Sequence, residues 1–539
     1  MKKSVSIISL LVCGLAVVAC QKNKEPIEPE ESYNIVRPSF DGDYTTYAVS
    51  EKPSGVNMTC YSDIYSRGFS WITDTTATET ELYLVKSDKG QDADFSNAEF
   101  IEGTSIEGTY KTNGEFSAKN NVIASHRGSS NSSELNFISH KAHVENLEKG
   151  KAYSYKIGSE KGYYYGAFIV EKDNPKTITV LHMSDAQTKE PDKLNVWRNT
   201  FTHAVDTAGK GLDMTLYNGD QFDQNMRING TIPLRFTMYS KALDVINDYK
   251  IDIPYMTSSG NHEPASPYSH YLHSDINYAG FDYSGGYYSY DYNFAHFVVL
   301  NTNNEISSEQ LTWLSNDLES ASNAKWKIVM MHISPYSTGD NSVDSENHRI
   351  LEKVTPIFSQ KHVDLVLQAH DHTYNKTLPY KWDHEKGYTK TAHDETVVNF
   401  NPQTEQKGDI IYDKNPNGTY YVTTGAAGHR AGAPETDGVY AEVVVGNGEI
   451  KPLNPSKSYL NSEYKIEVGT LKYENEYESY TVDSYVSDQH YEVGDPATGN
   501  VNAQMFGALN LTDSTLSYNV YTVNGDTVKL FDSIDVLKS

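Results

Sequence analysis

Apolar and polar residues alternate in short segments over the first third of the chain, from about residue 34 to residue 172. Residues 67–73 and 81–85 show the pattern, because apolar side chains recur at alternate positions, as in a strand with one buried face. Polar turns separate these segments, and none has the periodicity of a long amphipathic helix. The pattern predicts a fibronectin-like β-sandwich over residues 34–172.

A different pattern begins after a short polar break near residue 175. Apolar strands now end in polar turns and alternate with segments of helical periodicity. These segments predict helices over residues 193–209, 235–249, 308–320 and 349–360. Alternating strands and helices predict an α/β domain, and such sheets carry their chemistry at the carboxyl ends of the strands.

The predicted α/β domain extends over residues 176–539. Its last part is expected to be β-rich, because residues 508–511, 515–522 and 527–531 alternate like closing strands. Residues 432–500 are rich in Tyr, Glu and Asn and indicate an irregular insertion. The fold class is therefore multidomain: a β-sandwich, an α/β domain and a β-rich C-terminal extension.

The N-terminus has the layout of a secretion signal. Two lysines precede an apolar run over residues 5–19, which is too short for a typical membrane span. The run ends at Cys20 in a sequence similar to a bacterial lipobox, in which cleavage leaves a diacylated cysteine. We expect a signal peptide over residues 1–19 and a lipidated tether over residues 20–33, anchored in the cell envelope at the outer membrane. Cleavage without lipidation is the alternative.

Charge and cysteine content narrow the classes of function. The chain has 539 residues, more than one core usually supports, and 72 acidic against 45 basic residues give a net charge of −27. A surface this acidic repels nucleic acid, which we do not expect as a partner. Cys13 leaves with the signal peptide and Cys20 is lipidated, so Cys60 has no cysteine to pair with inside the chain.

Five short polar motifs, each directly after an apolar strand, carry the candidate chemistry. Their key residues are Asp185 with Gln187, Asp220 with Asp223, Asn261 with His262, then His332, then His370 with His372. The leading residues stand 35, 41, 71 and 38 positions apart, and each interval suits a strand and a crossover to the same sheet edge. One such motif alone is usually a satisfied polar loop residue, whereas five in order predict a shared cleft.

The donor types indicate what this cleft would hold. Carboxylate, amide and imidazole groups suit Mn, Fe, Zn or similar divalent ions, and the set contains no thiolate. Two such ions about 3.5–4 Å apart can clamp a phosphoryl oxygen and activate a water for attack on phosphorus. A carboxylate is the natural bridge between two cations, and we assign this task to Asp220.

The ordered motifs resemble those of the calcineurin-like metallophosphoesterases. The preceding β-sandwich and the run from His332 to Tyr336 are similar to the branch that contains the purple acid phosphatases. The resemblance spans roughly residues 34–428 and is specific as a set. It implies a four-layer α/β metallophosphoesterase sandwich and a phosphatase with two divalent metal ions that acts on a small phosphorylated substrate. Together with the secretion signal, it predicts a phosphatase that acts outside the cytoplasm.

The family pattern implies a role for each motif residue. The first metal would take Asp185, Asp220 and His372, with Gln187 at a position where many members have His. The second metal would take Asp220, Asn261, His332 and His370. His262 would lie just outside the ligands and protonate the leaving oxygen while a metal-bound hydroxide attacks phosphorus.

Besides Gln187, and Gln368 with Ala369 in place of the usual small pair before His370, a third departure from the family pattern concerns the purple acid phosphatases. Those enzymes have Tyr three residues after the bridging Asp, and its charge transfer to Fe(III) gives the colour, whereas this chain has Asp223. The position resembles other phosphatases of the superfamily in which Asp orients the catalytic His. We therefore interpret Asp223 and His262 as an acid–base dyad and expect a colourless protein. Gln187 is either a ligand through its amide oxygen or a residue beside the ligands.

Two further residues are candidate substrate contacts. Tyr336 would line the substrate pocket, or else be a core or rim aromatic residue. Arg430 would pair with phosphate, or else face solvent on its loop.

Two other functions stay open on the sequence alone. A phosphodiesterase or a nucleotide pyrophosphatase would use the same site, because this site type cleaves several kinds of ester. A different class is a surface binding lipoprotein, in which the β-sandwich recognises glycan or protein and the metal site is vestigial.

Overall fold

The computed structural model describes residues 49–539 with internal gaps. The predicted signal peptide over residues 1–19, the tether over residues 20–33 and the helix over residues 235–249 lie outside the described residues, as does most of the predicted insertion. The gaps are 112–115, 119–120, 125–133, 172–174, 188–190, 209–210, 222–252, 264–273, 283, 304, 337–344, 373, 378, 383–394, 398–402, 429–441, 446–449, 453–465, 475–478 and 488–503.

Ten strands in two sheets form the N-terminal region. They are β1 (Ser54–Thr59), β2 (Arg67–Thr73), β3 (Glu81–Lys86), β4 (Glu99–Glu102), β5 (Thr104–Lys111), β6 (Phe116–Ala118), β7 (Asn121–Ala124), β8 (Glu134–Val144), β9 (Ala152–Ser159) and β10 (Gly162–Ile169). The sheet orders are β1-β2-β8-β5-β6-β7 and β10-β9-β3-β4. Alternate apolar side chains, such as Leu82 and Leu84, enter a core shared by both sheets. The fibronectin-like assignment and its boundaries stay predictions.

The N-terminal sandwich is joined to the α/β domain by direct contacts with residues 274–277. Asn57 Nδ2 donates to Ser274 Oγ (2.6 Å), and Thr59 Oγ1 donates to the carbonyl oxygen of Asp275 (2.6 Å). Cys60 is a buried free thiol within the central core of the α/β domain. The end of β1 is therefore part of the packing of the second domain.

Two mixed sheets form the centre of the α/β domain. The eight-stranded sheet contains β11 (Ile178–Met183), β12 (Leu212–Asn218), β13 (Tyr255–Ser258), β22 (Thr404–Lys407), β23 (Ile410–Lys414), β29 (Gln504–Leu511), β30 (Thr515–Asn524) and β31 (Thr527–Leu537). The seven-stranded sheet contains β14 (Gly280–Asp282), β15 (Gly285–Tyr292), β16 (Ala295–Leu300), β17 (Trp326–Met331), β18 (Leu365–Gln368), β19 (Tyr374–Lys376) and β24 (Tyr420–Thr424). Strands β11 to β13 run parallel, as do β16, β17, β18 and β24. Their near-continuous apolar runs fit strands that are buried on both faces.

Helices cover the outer faces of both sheets. Helix α1 (Pro191–Ala208) lies against β11 and β29, and helices α2 (Ser308–Ser320) and α3 (Ser345–Lys361) pack together over the seven-stranded sheet. A large apolar core fills the space between the two sheets. The layers are thus helix, sheet, sheet, helix, as the family resemblance implied. None of the described helices combines the length and the apolar character needed to cross a bilayer.

The C-terminal strands belong to the central sheet. Strand β29 pairs antiparallel with β11, and β30 and β31 continue the sheet outward. The alternation of residues predicted these strands, but not their place beside the first strand of the domain. The remaining described strands form a pair, β20 (Tyr380–Trp382) with β21 (Glu395–Val397), and a four-stranded sheet of β25 (Glu442–Val445), β26 (Ile450–Pro452), β27 (Ile466–Glu474) and β28 (Ser479–Ser487).

A buried histidine ties β15, β16 and α2 together and predicts a pH dependence of stability. His296 Nδ1 lies 2.7 Å from Asp291 Oδ1, and His296 Nε2 lies 2.9 Å from Asp317 Oδ2. Burial opposes protonation of the ring, but the two carboxylates outweigh it and raise the pKa of His296 to about 9. The folded pKa exceeds the unfolded value of about 6.5, so this stabilisation is complete below pH 6.5 and is lost as the pH rises to 9.

Between pH 6.5 and pH 9, deprotonation of His296 should lower the free energy of unfolding of the parent protein by an amount on the order of 3 kcal/mol. We therefore expect His296→Gln to lose less stability than the parent protein over the same pH range. The measurement is the free energy of unfolding in urea at several pH values, taken as the difference between the parent protein and the variant. His203→Gln on α1 is the control. Parallel pH curves for the parent protein and His296→Gln would contradict the prediction.

Candidate metal centre

The five motifs lie at one edge of the two central sheets, at the carboxyl ends of parallel strands. Asp185, Asp220 and Asn261 follow β11, β12 and β13 of the eight-stranded sheet. His332 and His370 follow β17 and β18 of the seven-stranded sheet. Because each set of parallel strands ends at the same edge, the motifs of both sheets meet above the core, as the spacing predicted.

The side chains assigned to the second metal form the most compact group. One ligand atom each of Asp220, His332 and His370 lies within 4.8 Å of the others. Asn261 Oδ1 is 3.0 Å from His332 Nε2 and 3.1 Å from His370 Nδ1. One carboxylate, one amide oxygen and two imidazoles are a donor set that suits a divalent ion such as Mn, Fe or Zn.

His332 is held in one tautomer by a backbone carbonyl. Its Nδ1 lies 2.7 Å from the carbonyl oxygen of Asn218, which can only accept, so Nδ1 carries the proton and Nε2 faces Asp220. Burial lowers the pKa of His332, but the Asp220 and Asp185 carboxylates outweigh burial and raise it to about 10. The environment of Nε2 therefore favours a positive charge, which a proton or a metal ion can supply.

Asp185 and His372 form the first-metal side of the site. Asp185 is fully buried, and its Oδ2 accepts the backbone N–H of His370 at 3.2 Å. Its Oδ1 lies 3.5 Å from His372 Nε2 and has no hydrogen-bond partner among the described residues. A buried carboxylate oxygen without a hydrogen bond is costly unless a cation satisfies it. This oxygen shows that the residues present fit a metal ion.

Gln187 and His262 lie beside Asp220. Gln187 Nε2 donates to Asp220 Oδ2 at 3.1 Å and is 3.5 Å from His262 Nε2. A carboxylate can only accept, so the amide nitrogen must face it, and this contact favours Gln187 as a residue beside the ligands over a metal ligand. The His262 side chain is 14% exposed, with Nε2 at 3.7 Å from Asp220 Oδ2, and so stands at the solvent side of the site.

Backbone strain is concentrated at these residues. Among the described residues other than glycine, eight have a positive φ, and four of them belong to the site: Asp185, Gln187, Asp220 and His370. Such conformations cost free energy and persist only where the surrounding structure enforces them, which is typical of functional sites. The close approach of two loops also requires a glycine, because a Cβ on Gly260 would lie 2.1 Å from Asp220 Oδ1.

Glu263 fixes two of the ligand loops from beneath. It is buried, and its carboxylate accepts the backbone N–H groups of Asp220 (2.8 Å), Gln221 (2.9 Å) and Gly260 (2.6 Å). Burial and the nearby Asp220 carboxylate raise the pKa of Glu263 to about 8, whereas the N–H donors favour the charged form. Glu263 is thus a support for the loops that carry Asp220 and Asn261.

We expect Glu263→Gln to weaken both the fold and the metal site. The new NH₂ group faces backbone N–H donors, and each donor left unpaired costs about 1–3 kcal/mol. The measurements are the free energy of unfolding and the affinity for Mn²⁺, and both are expected to fall. Glu51→Gln, at an exposed position, is the control and is expected to change neither. Unchanged Mn²⁺ affinity in Glu263→Gln would contradict the supporting role.

The prediction that Tyr336 lines the substrate pocket is wrong. Its side chain is fully buried in the core between the seven-stranded sheet and helices α2 and α3, with its ring centroid 4.6 Å from that of Tyr421. Gln368 holds its backbone, because Oε1 accepts the N–H of Tyr336 (3.1 Å) and Nε2 donates to its carbonyl (3.0 Å). Apolar burial decides the direction of the ring. Asp223 and Arg430 lie outside the described residues, and their roles stay predictions.

One residue that the sequence did not single out connects both sheets at the site. Asn218 is fully buried, and its Nδ2 donates to the carbonyls of Met331 and Leu367, each at 3.0 Å. Its Oδ1 accepts from Ser258 Oγ at 2.7 Å. Asn218 therefore links the ends of β12, β13, β17 and β18. The sequence feature that could have identified Asn218 is an amide at the end of an apolar strand, directly before Gly219 and Asp220.

Comparison with known proteins identifies the domain that carries the site. A family model described as calcineurin-like phosphoesterase matches residues 178–374, which include every motif residue from Asp185 to His372. These residues belong to the calcineurin-like phosphoesterases. The family implies a dinuclear metal centre, and the two groups of donors described above match that expectation.

Relatives and solved structures point to one branch of the calcineurin-like phosphoesterases. Acid phosphatase type 7 of Mus musculus is 26% identical over 314 residues, which are 54% of this chain and 64% of that protein. The Homo sapiens protein of the same name is 26% identical over 41% of this chain and 50% of its own length. The chain thus spans about half to two thirds of the length of these relatives.

A solved structure shares the fold. The purple acid phosphatase PPD1 of yellow lupin (Lupinus luteus) superposes with a TM-score of 0.56, with 15% identity, over 90% of this chain and 75% of that one. The prediction of a calcineurin-like phosphoesterase of the purple-acid-phosphatase-like branch is confirmed.

Proposed function

We propose that this chain is a phosphatase that uses two divalent metal ions to hydrolyse small phosphate monoesters. One observation carries the proposal: metal-ligand side chains from both central sheets converge on one partly exposed site. Within it the buried Asp185 Oδ1 has no hydrogen-bond partner among the described residues, so it is suited to a cation. The acid phosphatase names of the mouse and human relatives support the choice of a monoester substrate.

The bound ions would supply Lewis-acid activation of a water and of the phosphoryl oxygens. The chain's own residues prepare the site for this. Glu263 and Asn218 hold the ligand loops at fixed separations, and Gln187 orients Asp220. His262 stands at the exposed side, where its Nε2 can hold a proton for the leaving oxygen. The dyad of Asp223 with His262 rests on the sequence.

The identity of the metal is part of the proposal. Oxygen and imidazole donors without thiolate favour Mn, Fe or Zn over softer ions. Elemental analysis of freshly purified protein should find two equivalents of these metals per chain. An empty site in such protein would instead favour the alternative of a surface binding lipoprotein with a vestigial site.

The substrate test compares an aryl phosphate monoester with a bis-aryl diester, with Mn²⁺, Zn²⁺ and Fe²⁺ varied in parallel. We expect metal-dependent hydrolysis, faster for the monoester. Faster cleavage of the diester would replace the monoesterase by the phosphodiesterase or pyrophosphatase alternative. A protein that binds two metal equivalents and hydrolyses neither ester would overturn the proposed activity.

We also propose that the protein works outside the cytoplasm, anchored through a lipid on Cys20. The proposal rests on the apolar run and the lipobox-like sequence before this cysteine. Cell fractionation of the parent protein and of Cys20→Ser tests it. Loss of membrane association and of fatty-acid labelling in the variant would support the anchor, and unchanged labelling would contradict it.

A further inference from the structure

Three buried polar side chains meet near the end of β11, the strand that leads to Asp185. His182 Nδ1, near the end of β11, lies 2.7 Å from Tyr518 Oη and 3.0 Å from Thr424 Oγ1. The two hydroxyl oxygens are 2.5 Å apart, so the three groups form a closed triangle. His182 precedes Asp185 by three residues, Thr424 comes from the other central sheet, and Tyr518 lies on β30 near the C-terminus.

The three side chains of the triangle are polar although they lie in the core. All three side chains are fully buried, and burying hydroxyl and imidazole groups costs free energy unless they are paired. Burial lowers the pKa of His182 to about 3 and raises that of Tyr518, so both are neutral. The triangle provides partners for the two hydroxyls and for His182 Nδ1, whereas His182 Nε2 has no hydrogen-bond partner among the described residues. Apolar residues of similar size would fill the same space at lower cost. A purely packing role therefore does not explain these residue types.

The neighbouring strand leaves room for the phenol. Gly507 of β29 lies opposite His182 of β11 in the sheet. A Cβ on Gly507 would lie 2.1 Å from Tyr518 Oη, so any other residue there would displace the hydroxyl from the triangle. The absence of a side chain at Gly507 thus leaves space for the hydroxyl of Tyr518.

Further hydrogen bonds join the residues after Thr424 to Ser184, the residue before Asp185. Ser184 Oγ donates to the carbonyl of Gly425 at 3.1 Å, and its own carbonyl accepts the N–H of Ala427 at 2.9 Å. The N–H of Met505 donates to the carbonyl of Ala426 at 3.0 Å. The chain after Thr424, the start of β29 and the residue before Asp185 are therefore joined in one network.

We propose that Tyr518 is a positioning residue for the first-metal side of the site: with Thr424 it fixes His182, and so the end of β11 that carries Asp185. The inference rests on the proposed dinuclear function. It assigns a role in metal binding to a segment, residues 504–539, that lies outside the matched family domain. Loss of a direct hydrogen-bond partner of a metal ligand usually lowers metal affinity 10–100-fold. Tyr518 would act one step further back, through His182 on the strand that leads to Asp185.

The test measures metal binding apart from activity. Tyr518→Phe removes one hydroxyl and keeps the ring. Tyr420→Phe is the matched control, because its buried hydroxyl pairs with Asp413 Oδ2, away from His182. Calorimetric titration with Mn²⁺ should show the affinity of one of two binding steps reduced about tenfold in Tyr518→Phe, with the other step unchanged. Tyr420→Phe should keep both affinities, even where it loses similar thermal stability.

A second pair of variants guards against a folding defect in Tyr518→Phe. Thr424→Ser keeps the hydroxyl of the triangle and should bind Mn²⁺ like the parent protein, whereas Thr424→Val should show the same selective loss. Parent-like affinities in both Tyr518→Phe and Thr424→Val would overturn the positioning role. A parent protein that binds no Mn²⁺, Zn²⁺ or Fe²⁺ would instead overturn the proposed function, so the two failures are distinguishable.

Discussion

Asp220→Ala is expected to abolish turnover and to lower the metal content at the same time. Asp220 is buried between the two halves of the site, with Oδ1 3.5 Å from His332 Nε2 and Oδ2 within hydrogen-bond distance of Gln187. His332 and His262 hold the pKa of Asp220 well below its usual range although burial opposes this, so the carboxylate is charged. Removing the charge leaves the histidines without their common partner. We expect kcat/KM to fall about a thousandfold or more, a loss of about 4 kcal/mol.

The matched control for this variant is Asp213→Ala on the same strand. Asp213 accepts the N–H of Thr179 (2.8 Å) and the hydroxyl of Tyr292 (2.9 Å), and it lies at the opposite end of β12. Its replacement should lower stability while the metal content of the folded protein stays at two equivalents. Full activity of Asp220→Ala on an aryl phosphate with added Mn²⁺ would remove the assignment of the site.

His262→Asn is expected to separate catalysis from metal binding. The ring of His262 stands at the exposed side, with Nε2 3.7 Å from Asp220 Oδ2 and 3.5 Å from Gln187 Nε2, and it is not one of the donors assigned to either metal. A positioned proton donor contributes about 10²–10⁴-fold in rate, so kcat should fall by that factor while two metal equivalents remain. The measurements are kcat and elemental analysis of the same preparation.

The leaving group gives a sharper readout of the same variant. Alkyl phosphates have a poorer leaving group than nitrophenyl phosphate and depend more on proton donation. We therefore expect His262→Asn to lose more rate on an alkyl ester than on the nitrophenyl ester. Equal losses on both esters would contradict proton donation by His262, and a parallel loss of metal would show that it is a ligand.

Most of the site could be predicted from the sequence because its signals are local. Asp185, Asp220, Asn261, His332 and His370 each follow an apolar strand, and parallel strands in one sheet end at one edge. The alternation of strands and helices in the α/β domain followed from the same reasoning, since strand and helix periodicities differ and neither needs distant information. The four layers were implied by the family resemblance.

Other features depend on contacts between residues far apart in the chain. The burial of Tyr336 follows from its packing against Tyr421, a residue on another strand, and the pattern around Tyr336 contains no sign of it. The orientation of Gln187 follows from the carboxylate of Asp220, which reaches it from the next strand. Amide groups serve as ligands and as donors, so residue type alone left both alternatives open.

The sequence alone therefore determined which groups are available and in what order: the donors of a bimetallic site, the strands that end in them and the class of domain. The tertiary structure decided which of them touch, through Asn218 between the sheets, Glu263 beneath two loops and Tyr518 beside His182. The physical reason is the distance along the chain over which each kind of interaction acts. Periodicity and turn chemistry act over a few residues, whereas a buried hydrogen bond is formed only where the completed fold brings its two partners within about 3 Å.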